Sequence, residues 1–148
     1  MSKRYLRSIR LLAQCYHTFE KVSGTQARKL GLTPSQFDII ATLGNTAGMS
    51  FKELGEKTLI TKGTLTGVID RLEARGLVKR GPRADDRRST IVQLTTEGAR
   101  EFERVFVPHI DFCALPFAGY QEADFVALEC ELAKLKAHMD AASGQLPG

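Results

Sequence analysis

The sequence predicts a mainly α-helical protein that carries one small β-hairpin. Three observations predict this. Apolar residues recur every three or four positions through most of the chain. Capping signals of the Thr-x-x-Gln and Ser-x-x-Glu type punctuate that pattern. A single pair of short Val/Ile/Thr runs flanks a long charged loop.

From about Lys3 to Val22, Leu6, Ile9, Leu12, Tyr16 and Phe19 fall on one face with basic residues between them, which predicts an amphipathic first helix. Thr33-Pro34-Ser35-Gln36 opens the second: Thr33 caps, Pro34 suits the first helical position and Gln36 reaches back to the cap. That helix should run to about Leu43, where Gly44, Asn45 and Gly48 break the chain. Ser50-Phe51-Lys52-Glu53 repeats the capping box and starts a short third helix ending near Thr58. Thr61 is the next cap, and Leu65, Val68, Ile69 and Leu72 follow at i, i+3, i+4 and i+7. Gly76 stands where a left-handed C-terminal cap belongs. A short helix, a tight turn and a longer helix with one apolar stripe make a helix-turn-helix, whose second helix keeps its opposite face free.

Leu77 to Arg80 and Ser89 to Leu94 read as two strands joined by the loop Gly81 to Arg88, the wing of a winged helix-turn-helix. Thr95-Thr96-Glu97-Gly98 opens a helix through Phe102, Val105 and Phe106, which Pro108 should kink or end. Pro116 and Gly119 mark a break. The last segment repeats Phe125, Leu128, Leu132, Leu135 and Met139 close to a heptad seam, and Ser143 to Gly148 is expected to trail into disorder.

With 148 residues, 43% hydrophobic and 26% charged, the chain can bury a core without metal or disulfide staples. Cys15, Cys113 and Cys130 are odd in number and widely spaced, which fits neither a disulfide framework nor a zinc site and points to a reducing compartment. The basic N-terminus is followed by apolar residues interrupted by Gln14, His17 and Glu20, so no signal peptide or membrane span is expected and the location is expected to be cytoplasmic. The P-loop, nucleophile-elbow, His-Glu-x-x-His, EF-hand and dinucleotide signatures are all absent, so neither an enzyme nor a cofactor or metal is expected.

Net charge is +4, unevenly spread. Residues 1–30 hold seven Lys or Arg against one acid, 50–100 hold eleven against seven, and 101–148 hold three against eight. Such a chain can turn one side to a polyanion and keep the other away. The free face of the helix after Thr61 holds Lys62, Gly63, Thr64, Thr66, Gly67, Asp70 and Arg71. Thr64 and Thr66 can meet base edges or phosphates, and Lys62, near the positive helix end, can reach a phosphate or a guanine. Arg71 and Arg75 suit phosphate contact or pairing with a wing aspartate. Arg87 and Arg88 can insert into a minor groove, with Asp85 or Asp86 orienting an arginine. Ser35 and Gln36 offer a helix start to a backbone phosphate, although capping explains them equally well.

Two further groups stand apart. Tyr16, His17, Phe19, His109 and Phe112 are candidates to line a pocket for a small phenolic or carboxylate effector. Cys15 is a candidate redox thiol, with burial as a structural cysteine the favoured reading for it and for Cys113 and Cys130. A catalytic Cys15–His17 pair is disfavoured, because residues i and i+2 of a helix do not face each other.

Leu32-Thr33-x-x-Gln36, Ser50-x-x-Glu53-Leu54, Leu72-Glu73-x-x-Gly76-Leu77-Val78-x-Arg80, Asp86-Arg87-Arg88-Ser89 and Leu94-Thr95-x-x-Gly98 together resemble the MarR-type winged-helix transcriptional regulators. The resemblance implies a dimerisation helix over 1–31, a winged helix-turn-helix DNA-binding domain over 32–98 and dimerisation helices over 99–148. It implies a homodimer on double-stranded DNA, released by a small molecule or by thiol oxidation. Its DNA-binding set would be Lys62, Thr64, Thr66, Arg71, Arg87 and Arg88, with Asp86 orienting the wing. Gly67 departs from the larger polar residue often found there. A winged helix used to bind a protein partner is the alternative.

Overall fold

The computed structural model describes residues 2–146. In chain order the elements are α1 (Arg4–Lys29), α2 (Pro34–Leu43), α3 (Phe51–Thr58), α4 (Lys62–Ala74), β1 (Val78–Pro82), β2 (Thr90–Leu94), α5 (Thr96–Ala114), a 3-10 turn (Leu115–Phe117) and α6 (Glu122–Ser143). The chain divides into two compact units, Met1–Cys113 and Ala114–Gly148.

In the first unit, the capping box expected at α2 forms in full, while at α3 only its Ser50 half forms and the Glu53 carboxylate takes Arg83 instead. Thr33 Oγ1 accepts from the Gln36 N–H at 3.2 Å while Gln36 Oε1 accepts from the Thr33 N–H at 3.1 Å. Ser50 Oγ accepts from the Glu53 N–H at 3.1 Å. At α4 the cap position is right but the bond differs: the Thr61 hydroxyl donates to the Thr64 hydroxyl at 3.2 Å, and the helix takes no side-chain cap. Leu65, Val68, Ile69 and Leu72 all face the core. They meet Ile39, Ile40 and Leu43 of α2, Leu54 of α3 and Val92 of β2 in one apolar cluster. Burying each such side chain contributes roughly 1.5–3 kcal/mol.

Three boundaries differ from expectation. The first helix runs seven residues past Val22 to Lys29. Ser23-Gly24-Thr25 carries no large apolar residue to signal this, yet Gly24 is buried because a side chain there would stand 3.1 Å from Pro34. The first strand reaches Pro82, which pairs with Thr90 at the open end of the antiparallel ladder, where the missing N–H matters least. Helix α5 continues through Pro108 to Ala114, with Pro108 on an exposed position. Met49 adds a bridge to Val92, its N–H and C=O bonding at 2.9 and 2.8 Å, and so ties the loop before α3 to the hairpin.

Thr95 joins the end of α4 to the start of α5. Its hydroxyl donates to the Gly76 carbonyl at 2.6 Å and accepts from the Gly98 N–H at 3.0 Å. Gly76, at φ +75°, makes the left-handed turn expected of it. Gly98 is needed for a different reason: a Cβ there would lie 1.9 Å from the Leu77 carbonyl oxygen.

In the second unit, Phe117, Tyr120 and Phe125 cluster with ring centroids 5.3–5.6 Å apart at the start of α6. The Gln121 N–H donates to Asp124 Oδ2 at 2.8 Å and closes the helix start. The heptad-like residues Leu128, Leu132, Leu135 and Met139 are all exposed. Of the tail expected to trail off from Ser143, residues 144–146 form a turn that closes α6; Pro147 and Gly148 lie outside the described residues.

Candidate functional site

Burying one stripe of α4 leaves the other outward. Lys62, Thr64, Thr66 and Arg71 are exposed on it, and Gly67 is half-buried. The backbone at this end is bare as well, since a Cβ on Gly63 would meet nothing within 4 Å. A helix start with small residues, a lysine and unbonded N–H groups attracts anions and lets a flat surface come close.

The hairpin sorts its arginines into two classes. Arg80 is ion-paired to Asp70 of α4, lies 3.7 Å from Glu73 and sits over the Phe51 ring at 5.4 Å. Arg83 donates to Glu53 of α3 at 3.0 Å and lies 3.8 Å from Asp85. These two hold the hairpin to the helix pair. Arg87 and Arg88 are exposed at the tip, and among the described residues neither they nor Lys62 and Arg71 have an ion-pair partner. Asp86 orients the turn rather than a guanidinium: its carboxylate accepts from the Arg88 N–H at 3.0 Å and the Ser89 hydroxyl at 3.1 Å.

Arg75 does not pair with a wing aspartate. Its guanidinium donates to Gln36 Oε1 at 3.2 Å and to the Gly31 carbonyl at 3.4 Å, tying the end of α4 to the start of α2. Gln36 is therefore 8% exposed, with its side-chain oxygen shared between the cap and Arg75 rather than turned outward, and Ser35 is half-buried.

A groove of about 800 Å³ opens in the first unit. Tyr16, His17, Phe19 and His109 line it, and Phe112 does not. The rest of the lining includes Phe37 and the carboxylates Glu20 and Asp38. His109 is buried and stacks on Phe37 with centroids 4.0 Å apart. Its Nδ1 lies 2.9 Å from Gln26 Oε1 and its Nε2 lies 3.2 Å from the Ser23 hydroxyl, so a neutral ring donates to the first and accepts from the second. Burial lowers its pKa further, in keeping with that neutral state. Asp38 is exposed as a residue, yet the groove walls crowd its carboxyl, and that desolvation first, with the Glu20 charge second, pushes it up to about 6. The Glu20 carboxylate, as hydrogen-bond acceptor and as a charge, raises the neighbouring Tyr16 phenol.

The cysteines depart from the expectation of burial. Cys15 on α1 and Cys130 on α6 are exposed and Cys113 on α5 is half-buried. Burial raises the Cys113 thiol pKa, which makes it a poorer nucleophile.

A model of the MarR family matches residues 30–89, the span from the end of α1 through the wing loop. PecS of Dickeya dadantii, an HTH-type transcriptional regulator, is 32% identical over 114 residues, covering 75% of this chain and 69% of that protein. The chain belongs to the MarR family. Two solved structures carry the likeness through the fold. BpsR of Bordetella bronchiseptica, described for regulation of its DNA binding by 6-hydroxynicotinic acid, is 28% identical with a TM-score of 0.74, over 88% of this chain and 98% of that one. A cysteine-to-serine mutant of E. coli MarR complexed with operator DNA is 25% identical with a TM-score of 0.75, over 89% and 95%.

This MarR-family protein is accordingly a winged-helix, DNA-binding transcriptional regulator and not an enzyme. Among its described residues no helix is long and apolar enough to cross a membrane. Sequence reasoning missed the internal clamps Arg80–Asp70 and Arg83–Glu53, although strand alternation from buried Val78 places Arg80 on the inward face. It also missed Asp38 as a groove residue. The signal was available: Asp38 is the lone charged residue between 31 and 49, next to Phe37, Ile39 and Ile40.

Proposed function

We propose that this MarR-family regulator acts as a homodimer that represses transcription from a pseudo-palindromic operator and is released by a small molecule. The observation that carries the DNA contact is the sorting of cations. Arg80 and Arg83 are spent on internal carboxylates, while Lys62, Arg71, Arg87 and Arg88 stand exposed beside Thr64 and Thr66. In this reading α4 enters a major groove, with Thr64, Thr66 and Lys62 at base edges and Arg71 on phosphate. Arg87 and Arg88 reach an adjoining minor groove on a turn that Asp86 braces. Ser35 offers the start of α2 to a phosphate, and Gln36 holds that start in place through Arg75.

Residues 32–98 form the DNA-binding domain in this proposal, and 1–31 with 99–148 supply the dimer contacts. Exposed Tyr5, Leu6 and Ile9 on α1 and Leu132, Leu135 and Met139 on α6 support it, since such apolar stripes seldom face water in a stable protein. Two recognition helices in a dimer would meet major grooves about 10 bp apart. The groove lined by Tyr16, His17, Phe19 and His109 is the effector site, and a cytoplasmic location fits three unpaired cysteines. A thiol trigger at Cys15 is a second reading, favoured by its exposure.

Fluorescence anisotropy on duplex from upstream of its own gene, against a scrambled duplex and across a salt series, tests the proposal. Tight selective binding with a steep salt slope is expected. Equal weak binding to random-sequence duplexes of every kind turns the reading toward a protein-binding winged helix. Loss of oxidant-driven release in Cys15→Ser would favour the thiol trigger over the groove.

A further inference from the structure

The groove holds two carboxylates, Glu20 on α1 and Asp38 on α2, and among the described residues neither has an ion-pair partner. Aromatic surface surrounds them, from Tyr16 and Phe19 on α1 and Phe37 on α2. The cations that share the lining sit elsewhere along it. Lys21 follows Glu20 directly and so projects about 100° around the helix from it. Arg28 is eight residues beyond Glu20, but its guanidinium folds back beside Gly24, about one helical turn from Glu20, and forms no ion pair with either acid. His109 is neutral and committed to Gln26 and Ser23.

We propose that the groove selects an organic cation, an amine or amidine on a flat aromatic body, with its positive head between Asp38 and Glu20. The inference rests on the groove being the effector site and adds the charge of its ligand. A cation there meets two carboxylates that lack an ion-pair partner among the described residues, and their attractions add. The flat body lies against Tyr16, Phe19 and Phe37, whose faces favour positive charge. An aromatic carboxylate of the same shape is repelled by both acids. The state of Asp38 agrees: its field contains Glu20 and no cation, and with a pKa of about 6 it is mostly ionised at pH 7.5.

Three probes of one shape and different charge test this: benzamidine, benzoate and benzyl alcohol, titrated by calorimetry at pH 7.5 into the full chain and into Asp38→Asn and Glu20→Gln. Benzamidine is expected to bind at least tenfold tighter than benzoate. Asp38→Asn should weaken benzamidine about tenfold without weakening benzoate, and Glu20→Gln should act in the same sense. Benzoate binding as tightly as benzamidine, no binding of any probe, or no response to either substitution overturns the inference. Release of the operator duplex, followed by anisotropy in the same solutions, separates the two readings. Benzamidine that binds through Asp38 yet leaves DNA bound keeps the cation site and removes its effector role. Release by benzoate alone keeps an effector site and removes the cation.

Discussion

Arg80 on the first strand of the hairpin is ion-paired to Asp70 on the outward side of α4. The pair has two effects at once. It fixes the hairpin against the helix, helped by Glu73 and by the Phe51 ring beneath the guanidinium. It also neutralises the one acid that the exposed face of α4 sets among Thr66, Gly67 and Arg71. On the proposed DNA face, Arg80 would act through another residue's charge.

Arg80→Ala should therefore weaken operator binding by about tenfold or more while costing little stability. Both partners are partly open to solvent, so the ion pair itself contributes about 1 kcal/mol or less. The loss in binding comes from a bare Asp70 facing phosphate and a hairpin free to swing. Anisotropy together with a thermal melt checks the two halves separately. Restored affinity in the double change Arg80→Ala with Asp70→Asn would assign the effect to charge, and no restoration would assign it to hairpin position.

Arg87 and Arg83 lie four residues apart on one loop and should behave differently. Arg87→Ala removes an exposed, unpaired cation, so it should leave the melting temperature unchanged and lower the salt slope of DNA binding by about one. Arg83→Ala breaks the bond to Glu53 at 3.0 Å and should lower stability as well as affinity. A salt slope untouched by Arg87→Ala would take the wing tip off the DNA.

Gly98→Ala should destabilise the fold by about 2 kcal/mol or more, since the added carbon has to displace the Leu77 carbonyl from 1.9 Å. That carbonyl also accepts the Thr95 N–H at 3.1 Å, so the shift loosens the joint between the hairpin and α5. Gly63→Ala is the contrasting change: the site is open, and replacing a helical glycine there should be neutral or add up to about 1 kcal/mol. Chemical denaturation of both variants gives the comparison.

The parts legible from sequence were those set by neighbours in the chain. Capping residues three apart and one apolar stripe located the starts of α2, α3 and α4 to the residue and their ends closely, because the forces that start and bury a short helix act within it. The last two turns of α1 escaped notice because their signal is the absence of a side chain at Gly24, meaningful only once Pro34 packs there. The arginines escaped sorting for a similar reason. Whether Arg80 or Arg87 finds a carboxylate depends on the register of the hairpin against α4, which no local pattern encodes. Asp38 and Glu20, eighteen residues apart on two helices, meet only in the groove.

Asp38 gives a pH dependence whose sign is opposite to that of a carboxylate in an ion pair. Its carboxyl has a pKa of about 6 in the folded protein against an ordinary 3.8, chiefly through burial and then through Glu20. Between those values the folded chain holds a proton that the unfolded chain has released. Protonation therefore favours folding, and the contribution of this group falls as pH rises through 6. Glu20, Lys21, Arg28 and His17, which share the groove, are present in both variant and parent, so the comparison isolates Asp38. Asp38→Asn removes the penalty, so it should raise the melting temperature at pH 7.5, with the gain shrinking toward zero near pH 4. A gain that stays constant across that range, or a loss at pH 7.5, would show that the carboxylate is stabilised by a partner in the groove instead of strained there. In that case the same residue could not serve as an open seat for a cation, so the melt constrains the ligand chemistry as well as the fold.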